Sequence, residues 1–399
     1  MLKHDQLYIK KQNKHWIYEL IKERGPLTKP ALAKETKMSP TSISRIVNEL
    51  VEERLISESE YESSGVGRNA IRLELNKDAR WSLGIEIDMN IIRLGLINLK
   101  GELVHYQQFD YHTRGRPGPT LEKVVELINI TVAEQLLPQH CITGVGIGIP
   151  GYINVDTGSV IHSDQLLWDN VDVASYMTEA LDLPTRVDNE LKMQVIAEQH
   201  AQPENRSETM VLLRIGSGVG AAVLINGEIF RGDSNKAGEI GHSIVNPQGN
   251  LCKCGRKGCL ATYVSEKALL HQASYSLAVQ SMSELKALYL DKNPSAVTIF
   301  EQAVTYLAIA LGNIYTTFNP SSIILSGDFF SFCEKLNKSV YNQVSTYMPY
   351  AEEVAVKYSN LEGTGVVLGA GLVAGEYFFF IRRITPVFSF RKCQSHISV

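Results

Sequence analysis

His242, Cys252, Cys254 and Cys259 are four side chains able to ligate a metal, gathered on one run, EIGHSIVNPQGNLCKCGRKGC, from Glu239 to Cys259. Zinc takes about four nitrogen or sulfur ligands in a tetrahedron, and closely spaced Cys on a Gly-punctuated loop can wrap one ion without a long element holding them apart. Gly255 and Gly258 supply the tight bends. Three of the chain's six Cys fall in this short stretch, which favours a metal over ordinary buried thiols, the first alternative; a disulfide is the second, and nothing in the sequence supports secretion. Four protein ligands would close the site, so the expected zinc is structural: it shapes a ligand pocket and does not activate water.

A chain of 399 residues with 44% hydrophobic content can bury two or three cores. Its first residues, MLKHDQLYIKKQNK, lack the apolar core of a secretory signal, and no window approaches the roughly 18 uncharged apolar residues of a membrane span. A cytoplasmic chain without membrane insertion is therefore expected. The net charge of -4 hides an asymmetry: 15 Lys and Arg against 12 Asp and Glu up to Arg80, and 24 against 31 beyond it. A mildly basic head on an acidic body suits a DNA-binding module joined to a small-molecule domain.

Residues Lys14 to Glu23 put Ile17, Leu20 and Ile21 on one helical face, and Gly25-Pro26 ends that helix. Thr28 and Ser39 are candidate N-caps of two further helices, each followed by a Pro in its first turn. The second of these carries the apolar stripe Ile43, Ile46, Val47 and Leu50. A helix-turn-helix results, whose polar face bears Thr41, Ser42, Ser44, Arg45 and Asn48, groups that reach base edges and phosphates in a major groove. A three-helix packing module with a solvated face is the alternative. A hairpin from Leu55-Ile56 to Ile71, Leu73 and Leu75 favours DNA binding, because its tip, with Gly67 and Arg68, would form a wing over the minor groove. Residues 1–80 are thus expected to be a winged helix-turn-helix domain.

Beyond Trp81 the pattern is strand-rich and repeats. Strands at Leu83 to Ile87, Ile92 to Ile97 and Leu103 to Phe109 precede a helix from Leu121 to Leu137 and a strand ending at Gly151. Val211 to Ile215, Gly220 to Ile225 and Glu228 to Phe230 begin the scheme again, and a long apolar helix, Phe300 to Phe318, follows. Such an α/β repeat is the pattern of a two-lobed actin/hexokinase-like (ribonuclease H-like) domain, expected over residues 81–375, with ligand between the lobes. Residues 376–399 form an atypical tail with Phe378-Phe379-Phe380 and Arg382-Arg383.

The run Glu239-x-x-His242, continued by Cys-x-Cys-Gly-x-x-Gly-Cys, resembles the signature of the ROK family of sugar kinases and sugar-responsive repressors. The resemblance implies that Glu239 and His242 touch sugar hydroxyls, with His242 also on zinc. Asn189 and Glu190 align with the family's Asn-Asp segment, whose Asp is the catalytic base of the kinases; a Glu there is displaced by about an ångström, enough to matter for catalysis. Gly151 and Gln165 complete the implied sugar set. Ala261 departs from the Glu common in the family, so one polar anchor is missing. The wing resembles the Gly-Gly-Arg of the family's repressors at Gly65, Gly67 and Arg68.

For phosphoryl transfer the family's kinases use an Asp-x-Gly-Gly-Thr turn; the matching stretch, Glu86-Ile87-Asp88-Met89-Asn90, has neither glycine. A second Gly-rich turn, Gly216 to Gly220, serves hairpins as well as phosphates. The expected function is therefore a non-enzymatic, sugar-responsive transcriptional repressor of carbohydrate genes that binds operator DNA as a homodimer or homotetramer. Asn189-Glu190 and the run Val264 to Leu270 resemble the xylose repressors of the family, which implies xylose as effector. Two alternatives stand beside it: control by a protein regulator such as a sugar-transport component, and an active sugar kinase.

Overall fold

The structure is a computed structural model that describes residues 2–61, 70–202, 208–327, 329, 334–348, 355–361 and 363–378. Its first three helices are α1 (Leu2–Arg24), α2 (Lys29–Thr36) and α3 (Pro40–Glu52). Both expected caps form: Thr28 Oγ1 accepts the Ala31 amide at 3.3 Å and Ser39 Oγ the Ser42 amide at 3.2 Å, contacts each worth about 1 kcal/mol. α1 starts well before Lys14, where Lys10 and Lys14 tie its first half to Glu49 of α3 and to its C-cap Glu53 at 2.8 and 2.7 Å. Strands β1 (Ile56–Tyr61) and β2 (Ala70–Leu75) pair antiparallel, and Leu27 bridges to Leu73. Ile17, Ile21, Leu32, Ile43, Ile46, Val47, Leu50 and Leu73 make the buried core of this head. The wing tip expected at Gly65, Gly67 and Arg68 lies outside the described residues.

The body is built twice on one plan. Strands β3 (Trp81–Asp88), β4 (Ile91–Asn98) and β5 (Leu103–Asp110) form an antiparallel meander. After α4 (Pro117–Glu134), β6 (Ile142–Ile149) joins β3 in parallel. A small sheet of β7 (Tyr152–Asn154), β8 (Ser159–Ser163) and β9 (Trp168–Asp172) and helix α5 (Val173–Leu181) lead to β10 (Thr185–Asn189), giving the order β10-β6-β3-β4-β5. α4 begins before Leu121 because Pro117 opens its first turn, and it stops at Glu134 because Leu136 turns left-handed at φ 51°.

Helix α6 (Glu190–His200) crosses to the second lobe. There β11 (Thr209–Ile215), β12 (Val219–Ile225) and β13 (Glu228–Ile229) form the second meander. Helices α7 (Ala261–Val264), α8 (Glu266–Ala273), α9 (Met282–Leu290) and α10 (Pro294–Phe318) come next, followed by β14 (Ser322–Ser326), α11 (Glu334–Tyr347) and β15 (Ala355–Tyr358). The sheet order β13-β12-β11-β14-β15 repeats the first sheet's pattern of antiparallel and parallel pairs. Against the sequence expectation, one helix among the described residues, α10, is long and apolar enough to cross a membrane, but its apolar stripe is buried in the core of this lobe.

Two helices lie between the sheets. α6 packs Leu191 and Val195 on Met210, Leu212 and Leu224 of the second sheet. The last helix, α12 (Gly365–Glu376), lies directly on the first sheet. A Cβ added to Gly84 or Gly146 would stand 1.9 Å from the carbonyl oxygen of Val367 or Ala370, so strand and helix backbones touch with no side chain between them. The first turn of α12 lines the interlobe cleft at Gly365 and Val366, and its far end, Glu376, faces His15 of α1. Leu99, in the β4–β5 turn, packs on the head core, and its amide donates to the Lys77 carbonyl at 3.0 Å.

Candidate effector cleft, metal centre and DNA-binding face

The four expected metal ligands converge. His242 sits at the end of a short 3-10 turn, and the Cys-bearing loop folds back on it through bridges Ile244–Cys259 and Leu251–Lys257. Gly258 makes this possible: its φ is 74°, and a Cβ there would lie 1.6 Å from the Asn246 carbonyl oxygen. Cys252 Sγ is 3.5 Å from His242 Nδ1 and Cys254 Sγ 3.6 Å from Cys259 Sγ, with all four donor atoms within 4.8 Å of one another. Bonds of about 2.0–2.3 Å to a tetrahedral zinc set its ligands about 3.5–3.8 Å apart, so donor set and spacing fit that ion. The Arg256 amide, aided by its guanidinium, lowers the Cys254 thiol to about 6, while burial pushes Cys259 up to about 12.

The metal loop forms one wall of a cleft of about 1400 Å³ between the lobes. All six expected sugar residues, Gly151, Gln165, Asn189, Glu190, Glu239 and His242, line it, but they are not equally free. Asn189 caps α6: its Oδ1 accepts the Leu191 and Lys192 amides at 3.0 and 3.4 Å. Its Nδ2 donates to the Gly151 carbonyl at 3.2 Å and to Glu190 at 2.5 Å. Gln165 Nε2 donates to the Asp88 carboxylate. Glu239 is exposed to the cleft, and His242, with Nδ1 toward Cys252, keeps Nε2 for another partner.

Burial pushes the Glu190 carboxyl up to about 8, against relief from Arg214. Near neutral pH it can therefore hold a proton and donate to a sugar oxygen. Between the ordinary value of 4.5 and about 8 the folded chain keeps a proton that the unfolded chain gives up. Glu190 thus costs no stability below about pH 4.5; its cost grows as pH rises and levels off above about 8. Glu190→Gln is expected to melt a few degrees above the native chain near pH 9 and level with it near pH 5, as checked by thermal denaturation across that range.

Two polar networks cross between the lobes, and neither carried a sequence motif. In the first, Asp188 of β10, 1% exposed, accepts Arg231 at 2.7 Å and Asn235 Nδ2 at 3.2 Å. Buried Lys192 donates to the Asn235 carbonyl and side-chain oxygens at 2.5 and 2.7 Å, and Asn235 Nδ2 donates to the Ile153 carbonyl at 3.0 Å. In the second, buried Glu86 pairs with Arg93 at 2.7 Å in its own lobe and faces Arg214 of the other at 3.9 Å.

In the head, Thr41, Arg45 and Asn48 are exposed and Ser42 and Ser44 half-buried, on the side of α3 opposite its buried stripe. Arg45 donates to Glu49 at 3.1 Å and Ser39 Oγ to Ser42 Oγ at 2.9 Å. Gly67 and Arg68 fall outside the described residues.

A winged helix-turn-helix joined to a two-lobed, sugar-kinase-like body defines a class of DNA-binding proteins with a small-molecule cleft. The profile of the winged helix-turn-helix DNA-binding family matches residues 13–57, and that of the ROK family residues 82–376. The chain belongs to the ROK family. It is 28% identical over 384 residues to a xylose repressor of Caldicellulosiruptor bescii, covering 90% of this chain and 94% of that one. It is 26% identical over 376 residues to the xylose repressor of Bacillus subtilis, covering 94% and 97%. A solved ROK family transcriptional regulator, described as a homolog of the E. coli MLC protein, superposes with a TM-score of 0.80 at 25% identity, over 94% of this chain and 99% of that one.

Proposed function

We propose that the chain is a sugar-responsive transcriptional repressor of carbohydrate genes, with a neutral sugar such as xylose as effector and a structural zinc held by His242, Cys252, Cys254 and Cys259. The observation that carries this reading is the pairing, within one chain, of an open polar α3 face with a cleft whose lining groups, Glu239, Glu190 and His242, suit sugar hydroxyls. The relatives named as xylose repressors span nearly the whole chain and support the same reading. When bound, the ion would hold the Cys loop as a firm wall, and His242, fixed through Nδ1, would turn its other nitrogen to the sugar. Glu239 accepts sugar hydroxyls, Glu190 donates or accepts, and the Asn189 cap and the Gly151 carbonyl position Glu190.

Sugar in the cleft favours one relative placement of the lobes and so biases how a symmetric oligomer presents two α3 helices to half-sites on one face of the duplex. Residues 1–80 would then be the DNA-binding unit and 81–375 the sensing unit of a cytoplasmic homo-oligomer. A kinase role fits poorly, since Asp88, bonded to Gln165, stands at the turn where phosphates would need backbone amides.

The test uses the zinc-loaded full chain and an operator selected from a random duplex pool. Xylose at 100 times its dissociation constant is expected to stabilise the chain by about 2.7 kcal/mol and to change operator affinity, with no shift from an ATP analogue. Arg45→Ala is expected to weaken operator binding about tenfold or more without lowering the melting temperature. A shift with the ATP analogue and ATP-dependent sugar phosphorylation would replace the repressor reading by the kinase.

A further inference from the structure

Asn189 spends both atoms of its amide on the protein and Gln165 its Nε2, and Ala261 offers no polar group, so the rest of the expected set is small for a pentose or hexose ring with a hydroxyl on nearly every carbon. Tyr152 supplies what is short. It follows Gly151 on β7, lines the cleft and is half-buried, and its hydroxyl has no hydrogen-bond partner among the described residues. Lys236, from the opposite lobe, stands with Nζ 5.0 Å from the centre of the Tyr152 ring, a cation–π distance. Burial, with Glu239 and then Asp164 nearby, raises the phenol's pKa, so the hydroxyl keeps its proton as a donor.

We infer that Tyr152 is a specificity-determining contact of the effector site, its hydroxyl bonding one ring hydroxyl of a neutral sugar while Lys236 steadies the ring from across the cleft. This rests on the reading of the cleft as a neutral-sugar site. A phenol donor in the same cleft as the Glu239 acceptor distinguishes epimers: a hydroxyl of the right configuration satisfies the phenol, and its epimer leaves the phenol unpaired in a partly desolvated cleft.

The experiment titrates the native zinc-loaded chain, Tyr152→Phe and Lys236→Met calorimetrically with D-xylose and its single-centre epimers D-lyxose, D-ribose and L-arabinose, with melting temperature and zinc content measured for each. Tyr152→Phe is expected to weaken xylose binding about fivefold, the loss of one neutral hydrogen bond, and to narrow the gap between xylose and one epimer. Zinc content and melting temperature should stay unchanged. Lys236→Met is expected to weaken every sugar alike. Equal affinities of Tyr152→Phe and the native chain for all four sugars overturn the assignment and leave the sugar-sensor reading standing. An equal loss for all four makes Tyr152 a positioning residue and overturns the specificity role. If the native chain binds none of them, both readings fall.

Discussion

Cys254→Ser is expected to release the metal and to bring unfolding of the second lobe down by roughly 10 °C, the shift that goes with about 3–5 kcal/mol in a lobe of this size. Cys254 is the exposed thiol of the three, with Cys252 and Cys259 buried, so Ser in its place opens no hole in the core and the effect reports the lost ion. The Cys loop is tied by turn bonds, such as Cys252 amide to Arg256 carbonyl at 2.8 Å and Gly255 amide to Cys252 carbonyl at 2.9 Å, and by the bridges Ile244–Cys259 and Leu251–Lys257, while the ion would crosslink its thiols to His242. Because two lobes need not unfold together, the readout is the first calorimetric transition, with metal content measured in parallel. The variant should also bind sugar more weakly, since His242 would lose the ion that fixes its ring. A fully metallated variant with an unchanged first transition would remove the structural-metal assignment.

Asp188→Ala carries the second large effect. It leaves the Arg231 guanidinium, 2.7 Å from that carboxylate, without its ion-pair partner and removes an acceptor of Asn235, and removing one partner of a largely buried ion pair costs about 3 kcal/mol. Asp188→Asn keeps an acceptor for Arg231 and Asn235 and is expected to lose less. Since Asp188 and Arg231 come from different lobes, the damage should fall on lobe closure, seen as weaker sugar binding together with a lower melting temperature. A double-mutant cycle of Asp188→Ala with Arg231→Ala should return a coupling above about 1 kcal/mol. A coupling near zero would mean that the two side chains stabilise the fold independently and that the network does not hold the lobes.

The metal quartet was legible in the sequence because its ligands are neighbours in the chain and metal chemistry admits few residue types. The head was legible for a similar reason: Thr28 and Ser39 act within their own turns. α10 shows a local signal passed over, since Asn293-Pro294 is a cap and first turn in plain view, with Asn293 accepting the Ser295 and Ala296 amides, yet the apolar stripe suggested a start at Phe300. Asn189 shows a second role that went unread. Read as a sugar ligand by resemblance, it is also an N-cap, a role that its place at the head of an uninterrupted helical run allowed. The cleft's bridging networks left no trace in the sequence: Asp188, Lys192, Arg231 and Asn235 belong to different lobes, and each is an ordinary polar residue until the lobes meet. Tyr152 and Lys236, 5.0 Å apart across the cleft, left no sequence signal for the same reason.

The bare contact of α12 with the first sheet bears on how such a chain can be re-engineered. Side chains between a helix and a sheet act as a cushion that tolerates exchange of size and small changes of angle; at Gly84 and Gly146 there is none, so this seam has a single seating. A helix of this length, about 18 Å, then behaves as a stiff spacer between the cleft wall at Val366 and the head at His15. A foreign DNA-reading head grafted onto this body would inherit the body's signal only if the splice kept the Glu376 end of α12 and the Leu99 turn in register with the new first helix, and linker length alone would not restore it.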